Sequence, residues 1–252
     1  MLETVKEQLK TLRLATARLE IEDVLARHKK AASLPWVTEL LNREIDARKE
    51  SSLRARLKTA RFPVATTLES FDFAFNPQVD EEGIRELATL KFIDDNRMAL
   101  FLGPPGTGKT HLGIAIGVLA VRAGHRVFWS SAKRLGAMIL EAKVRNTMDE
   151  LYRKILQARL WIIDDWGIIS MRREVAEEVF DLMDRRKYAS AMILTSNRDI
   201  DEWPLIFPDT VLANSTIDRL FEEAKICLFK GPSYRLKGRI SAKEVDSEKP
   251  IS

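Results

Sequence analysis

The sequence holds a single cysteine, Cys227, in 252 residues, so it offers no internal disulfide and no thiolate zinc cage. Cys227 reads as a small apolar residue of a strand. The three histidines, His28, His111 and His125, are scattered and share no ligand spacing with it, which gives them no metal or catalytic role. No stretch approaches the roughly 20 continuous apolar residues of a membrane span. The first residues are a mixed-charge helical pattern unlike a secretion signal, so a cytoplasmic protein working away from membranes is expected. Glycine is missing from residues 1–62, and with it a common helix breaker. There Leu2, Val5, Leu9, Leu12 and Leu19 recur at helical spacing, which predicts a small all-α domain. Internal repeats and low-complexity tracts are lacking as well.

Charge is plentiful. The 41 basic and 37 acidic residues leave a formal charge of +4, with a pI near 9.1. That balance favours polyanionic or acidic partners without selecting one. Between residues 224 and 243 stand six basic residues (Lys225, Lys230, Arg235, Lys237, Arg239, Lys243) and no acidic one. Such a run is ordinarily a solvated surface, with phosphate contact as its alternative. Towards the amino terminus, Ser33 is placed to cap a helix that has Pro35 in its first turn. Val37, Leu40, Leu41 and Ile45 form one face of that helix. Its basic end (Arg48, Lys49, Arg54, Arg56, Lys58, Arg61) is read as a phosphate-contacting arm in preference to an exposed face.

Phe62-Pro63 breaks the helical pattern, and 64–78, with Phe71, Phe73 and Phe75, reads as an extended aromatic connector. From Asp80 onward, apolar runs at 98–102, 126–130, 160–164, 191–196 and 226–229 alternate with helical patterns, which argues a parallel sheet covered on both faces. The expected layout is a helical domain at 1–62, a connector at 63–79, an α/β core at 80–240 and a disordered tail at 241–252.

Gly103-Pro104-Pro105-Gly106-Thr107-Gly108-Lys109-Thr110 follows the first apolar run and precedes a helical pattern that opens with His111. Glycines in this order let backbone amides turn inward around phosphates while the helix start adds positive potential. Lys109 is placed to reach the β- and γ-phosphates of ATP, and Thr110 to hold Mg2+. His111, next in line, belongs with the nucleotide-contacting residues. A strand-borne carboxylate is needed at the metal, and Leu160-Trp161-Ile162-Ile163-Asp164-Asp165 supplies it: Asp164 as the metal ligand, Asp165 as the carboxylate that polarises water. Glutamate is common at that second place, and aspartate is one methylene shorter, so slow hydrolysis is expected. The run at 191–196 ends at Asn197, which is placed to orient water or touch the γ-phosphate, with a plain turn residue as its alternative.

With these pieces assembled, the chain resembles the AAA+ ATPases, and more narrowly the IstB-like helpers of insertion-sequence transposition and the related DnaC-type helicase loaders. The resemblance rests on both phosphate-site motifs and on Arg61-Phe62-Pro63, Thr67 to Phe73, Glu86 to Leu90, Ile193 to Asn197 and Ser233 to Lys237. It implies an α/β P-loop AAA+ core, a five-stranded parallel sheet between helices, behind a small helical domain and without a separate carboxy-terminal lid. It further implies Asn197 as sensor 1, Arg219 as the arginine finger reaching a neighbour's nucleotide, and Arg235 as a second nucleotide sensor, a DNA contact or a plain strand-end arginine. An inserted helix is implied at 133–156, where Lys133, Arg134, Lys143 and Arg145 line a DNA path or form a solvated face. Asp165, and Trp166 where leucine is frequent, depart from the family pattern. The implied activity is ATP hydrolysis by a homo-oligomer that grips duplex DNA with little sequence preference and serves an IstA-like transposase. A helicase loader and an ATP-gated DNA scaffold with vestigial hydrolysis are the alternatives.

Overall fold

The computed structural model describes residues 1–27, 35–186, 189–221 and 224–237. The expected cap Ser33, His28 and the expected tail at 241–252 lie outside them. The chain divides into two compact units, Met1–Ala55 and Arg56–Ser252. Among the described residues no helix is long and apolar enough to cross a membrane.

The first unit holds helices α1 (Leu2–Thr11) and α2 (Ala15–Arg27) and most of α3 (Pro35–Ala60). Val5, Leu9 and Leu12 are buried as their spacing predicts. Leu19 is not: α1 ends at Thr11, Arg13 takes a left-handed φ of 57°, and Leu19 falls on α2 at 81% exposure. Val37, Leu41 and Ile45 are half-buried, whereas Leu40 is exposed. Gln8 is buried, and its Nε2 donates to Asn42 Oδ1 at 2.6 Å and to the Thr38 carbonyl at 3.2 Å, which pins α1 to α3. Three of the six residues of the basic run, and Arg43 ahead of it, are matched by acids about one turn earlier. Arg43 pairs with Glu39, Arg48 with Glu44, Lys49 with Asp46 and Arg54 with Glu50. Exposed pairs at this spacing contribute only about 0.3–0.5 kcal/mol each, but they occupy the charge. That weakens the reading of α3 as a phosphate-contacting arm.

The second unit is built on a five-stranded parallel sheet in the order β2-β3-β4-β1-β5, with β1 Met98–Leu102, β2 Val127–Ser131, β3 Leu160–Trp166, β4 Ala191–Ser196 and β5 Ala224–Leu228. Strands β1 and β4 are buried throughout, as continuous apolar runs between two helical layers must be. One layer carries α6 (Lys109–Arg122), whose Gly113 and Gly117 lie over Ile193 and Ile162, and α4 (Glu81–Ala88), capped by the Asp80 side chain. The other carries α7 (Ala132–Val144), α8 (Met148–Leu156), α9 (Arg173–Arg186) and α10 (Thr210–Phe221), packed on Trp161, Ile163, Trp166, Leu100 and Leu194. The short α5 (Lys91–Asp94) leads into β1.

Two expectations need correction. The helix predicted over 133–156 is two helices: α7 stops where Asn146 adopts a left-handed φ of 56°, and the Thr147 amide closes back on the Ala142 carbonyl at 2.9 Å. Asparagine tolerates this conformation and serves as a helix stop. The connector is not extended but runs through turns. Ser70 and Phe71 amides return to Thr67 and Leu68 carbonyls, and Asp72 Oδ1 accepts from the Phe75 amide. Short Thr, Ser and Asp side chains offer the backbone local partners that compete with extension.

The inserted pair α7–α8 is tied to α9 through Tyr152. Its buried hydroxyl sits 2.7 Å from Glu178 Oε2 and 2.8 Å from Asp181 Oδ2. Lys143 pairs with Glu178 at 2.7 Å, and the Arg185 guanidinium lies 4.7 Å from the tyrosine ring centroid while pairing with Asp181. Removing the hydroxyl leaves both carboxylates with cationic partners, so the loss stays modest. Tyr152→Phe is expected to lower stability by about 1–2 kcal/mol, at the lower end for hydrogen bonds to charged groups. Urea unfolding measures it, and an unchanged midpoint refutes the role of the hydroxyl.

Candidate nucleotide-binding site

β1 delivers the chain into a loop whose backbone only glycine tolerates at two points. Gly103 has φ 144°, and a Cβ there would stand 1.9 Å from the Phe229 carbonyl oxygen, where the chain leaves β5. Gly108 has φ 104° directly before α6, and its Cβ would meet the Phe71 ring at 2.2 Å. The loop is therefore closely covered by its own chain from both sides. The amide of Tyr234 donates to the Gly106 carbonyl at 2.9 Å, and the buried Asn76 donates from Nδ2 to the Thr107 carbonyl at 3.4 Å.

Lys109 opens α6 with its side chain folded under the loop, where Nζ donates to the carbonyls of Gly103 and Pro104 at 2.6 and 2.7 Å. Burial pulls its pKa down to about 8, against the opposing attraction of Asp165 and Asp164. Thr110 Oγ1 donates to Asp164 Oδ1 at 2.8 Å, and Thr195 Oγ1 on β4 donates to the same oxygen at 2.6 Å. Asp164 is buried, which raises its pKa, while the two hydroxyls work to lower it. Beside it, Asp165 takes a left-handed φ of 60°. Its amide donates to Thr195 Oγ1 at 3.0 Å, and its Oδ1 accepts from Asn197 Nδ2 at 3.4 Å.

Lys109, Thr110, Asp165 and Asn197 border a cavity of about 530 Å³, within the range of small-molecule sites, while Asp164 and Thr195 stand behind its wall, joined to Thr110 and Asp165 by hydrogen bonds. Pro105 to His111, Asp165 and Asn197 line it, together with Thr66, Phe71, Phe75, Ile114, Tyr234 and Arg235. One ring contact lies within the connector, Phe71 to Phe73 at 4.7 Å, and another binds the connector to the chain after β5, Phe75 to Tyr234 at 5.0 Å. His111 borders the cavity, but its Nε2 lies 3.1 Å from both Ser70 Oγ and the Thr67 carbonyl, so the ring ties α6 to the connector. The hydroxyl and carboxylate oxygens of Thr110 and Asp164 suit Mg2+, which keeps few protein ligands and completes its shell with phosphate and water. Among the described residues no cage of three or more His, Cys, Asp or Glu exists to hold a metal by itself. Arg219, on α10, does not line the cavity; its Nε lies 3.2 Å from Asp184 Oδ1.

Sequence reasoning missed Thr195, Asn76 and the aromatic cover. For Thr195 there was a signal, a hydroxyl following four apolar residues in a buried strand. For Phe71, Phe75 and Tyr234 no spacing marked a shared wall.

The family profile described as IstB-like ATP-binding protein matches residues 4–242. The chain is 43% identical over 202 residues to a protein of Pseudomonas aeruginosa named for insertion sequence IS21 and ATP binding, covering 80% of this chain and 76% of that one. It is 37% identical over 202 residues to the counterpart named for insertion sequence IS5376 in Geobacillus stearothermophilus, covering 80% of each. Among solved structures, AMPPCP-bound DnaA from Aquifex aeolicus is similar in fold, with TM-score 0.56 and 21% identity over 74% of this chain and 60% of that one. The five-stranded parallel sheet with its phosphate loop is an AAA+ P-loop core, and the chain belongs to the IstB-like ATP-binding protein family.

Proposed function

We propose that this protein is an Mg2+-dependent ATPase that assembles with copies of itself on duplex DNA in the cytoplasm and, by hydrolysing ATP, delivers or remodels target DNA for a partner transposase. The observation that carries the reading is the meeting of Lys109, Thr110, Asp165 and Asn197 at one cavity, with the buried Asp164 hydrogen-bonded to Thr110. Membership in a family named for ATP binding, and relatives named for insertion sequences, support the substrate and the setting.

In this reading Lys109 exchanges its loop carbonyls for the β- and γ-phosphates, and the loop amides surround them. When bound, Mg2+ supplies charge neutralisation at the phosphate oxygens. Thr110 and Asp164 hold it. Asp165, steadied by Asn197, orients the attacking water, and its short side chain keeps turnover slow. Arg219 of one subunit meets the nucleotide of its neighbour, so loss of the γ-phosphate loosens the contact. Arg235, on the cavity wall, senses the nucleotide from within its own subunit.

Charge placement supports the DNA contact. On the inserted helices Lys143 pairs with Glu178 and Arg145 with Glu141. Arg61, Arg134 and Lys154 have no acidic partner among the described residues. Burial, then the positive neighbours Arg61 and Arg134, hold the Lys154 pKa below the usual lysine value. A cation held between two positive neighbours without an acid gains from a polyanion what it lacks within the protein.

Lys109→Ala is expected to abolish ATP binding. In the intact protein the pH dependence has a definite sign. Phosphates favour the charged lysine, so above its free-state pKa of about 8 binding must take up a proton. ATP affinity then falls up to about tenfold per pH unit, and Lys109→Arg, charged throughout, removes that slope. A flat wild-type profile up to high pH refutes the assignment. For Arg219, Arg219→Ala is expected to retain ATP affinity while losing turnover by on the order of 10³-fold. Asp184→Ala is the control: equal losses in both variants reduce Arg219 to a salt-bridge partner. DNA affinity is expected to fall steeply with salt. Replacing Arg134 and Lys154 together with alanine lowers the log–log slope by roughly one to two, alike on unrelated sequences. A salt-independent titration rejects the phosphate contact.

A further inference from the structure

Two acids in succession on one strand pose a geometric problem, because successive side chains point to opposite faces of a sheet. On β3, Trp161 and Ile163 belong to the apolar layer under α7 and α9, while Ile162 meets α6 at Gly117. Continued alternation would turn Asp164 towards α6 and drive Asp165 into the apolar layer. The sheet register avoids this. Ile163 pairs with Leu194 but Trp166 pairs with Ser196, so Asp164 and Asp165 together stand opposite the single residue Thr195. This is a β-bulge, with its extra residue in the left-handed conformation at Asp165. Trp166 takes the core position in its place, fully buried with its ring 6.2 Å from those of Trp203 and Phe207. Asp165 is left facing the cavity.

We propose that Thr195 is the positioning residue of this bulge, and that its hydroxyl sets both carboxylates of the site at once. The oxygen uses both its capacities: it donates to Asp164 Oδ1 at 2.6 Å and accepts from the Asp165 amide at 3.0 Å. It thereby fixes the carboxylate on the metal side and stands in for the ladder partner that the bulge costs the Asp165 peptide. Thr195 is itself buried, so without the hydroxyl bulk water does not replace it. Its methyl lies beneath Gly113 of α6, a separate packing role. The bulge also turns Asp165 towards the cavity, offsetting part of what its short side chain lacks in reach. This inference rests on the ATP and Mg2+ reading of the site.

The two roles of Thr195 separate by substitution. Thr195→Val keeps the shape and loses the hydroxyl, and Thr195→Ser keeps the hydroxyl and loses the methyl. ATP affinity is measured with Mg2+ and with chelator, alongside multiple-turnover phosphate release. Thr195→Val is expected to keep its chelator-condition affinity, carried by Lys109 and the loop, and to lose about 10- to 100-fold of both the Mg2+-dependent gain in affinity and the turnover. Thr195→Ser is expected to restore both. Wild-type behaviour of Thr195→Val overturns the proposal, as does failure of Thr195→Ser alongside it, which assigns the effect to the methyl. Should Thr195→Val not fold, Thr195→Ser alone decides: a retained Mg2+ response supports the proposal and a lost one overturns it. A wild-type protein without turnover sinks the hydrolysis reading, while the Mg2+-linked affinity still decides Thr195.

Discussion

One oxygen of Asp164 receives two hydroxyl hydrogen bonds, from Thr110 on α6 and Thr195 on β4, in a place closed to bulk water. A carboxylate at the end of an apolar strand is costly unless donors meet it. Here the donors come from two other elements. This single charge thus ties helix α6, β3 and β4 to one another, and links the register of the sheet to the geometry of the cavity. Lys109 and Asp164 are shifted in opposite directions by the same cause. Burial penalises the cation of one and the anion of the other, so each charged form stands to gain from a ligand of opposite sign. A phosphate with its metal ion offers both.

The loop is enclosed by segments far apart in sequence. The connector brings Phe71 against Gly108 and Asn76 against the Thr107 carbonyl, and the chain after β5 brings Tyr234 to the Gly106 carbonyl. Lys237 joins the two covers by pairing with Asp72 at 3.0 Å and standing over the rings of Phe75 and Tyr234. A change in the loop's backbone around a phosphate must move partners on both covers. In the proposed ATPase, that is a route by which nucleotide state reaches the surface of the same subunit, independently of Arg219.

The five strands were legible because a buried parallel strand is a continuous apolar run, and their ends shifted by no more than two residues. The phosphate loop and the paired acids were legible because their chemistry forbids most other residues at those places. The break at Asn146 was hidden, since one left-handed residue does not disturb a helical apolar pattern on either side. The turns of the connector were hidden by its alternating phenylalanines, a period-two pattern that came from two covering contacts and not from a strand. Thr195 was the subtler omission. A bulge leaves no trace in composition, and the need for one follows only when the faces of Ile162, Ile163 and Trp166 are compared.

Charge shows why composition is a poor guide to contact. On α3 most of the basic residues are matched by acids about one turn earlier, and the same holds for Arg145, while Lys143 is taken by Glu178 across the helix pair. Such pairing cancels the field a few ångströms from the surface, and at physiological salt a Debye length of about 8 Å screens the remainder. In the proposed DNA contact, counter-ions are displaced by charges that still project a field, and Arg61, Arg134 and Lys154, which meet no acidic partner among the described residues, are the candidates for it. The net charge of +4 is thus less informative than the location of three cations that meet no acidic partner among the described residues.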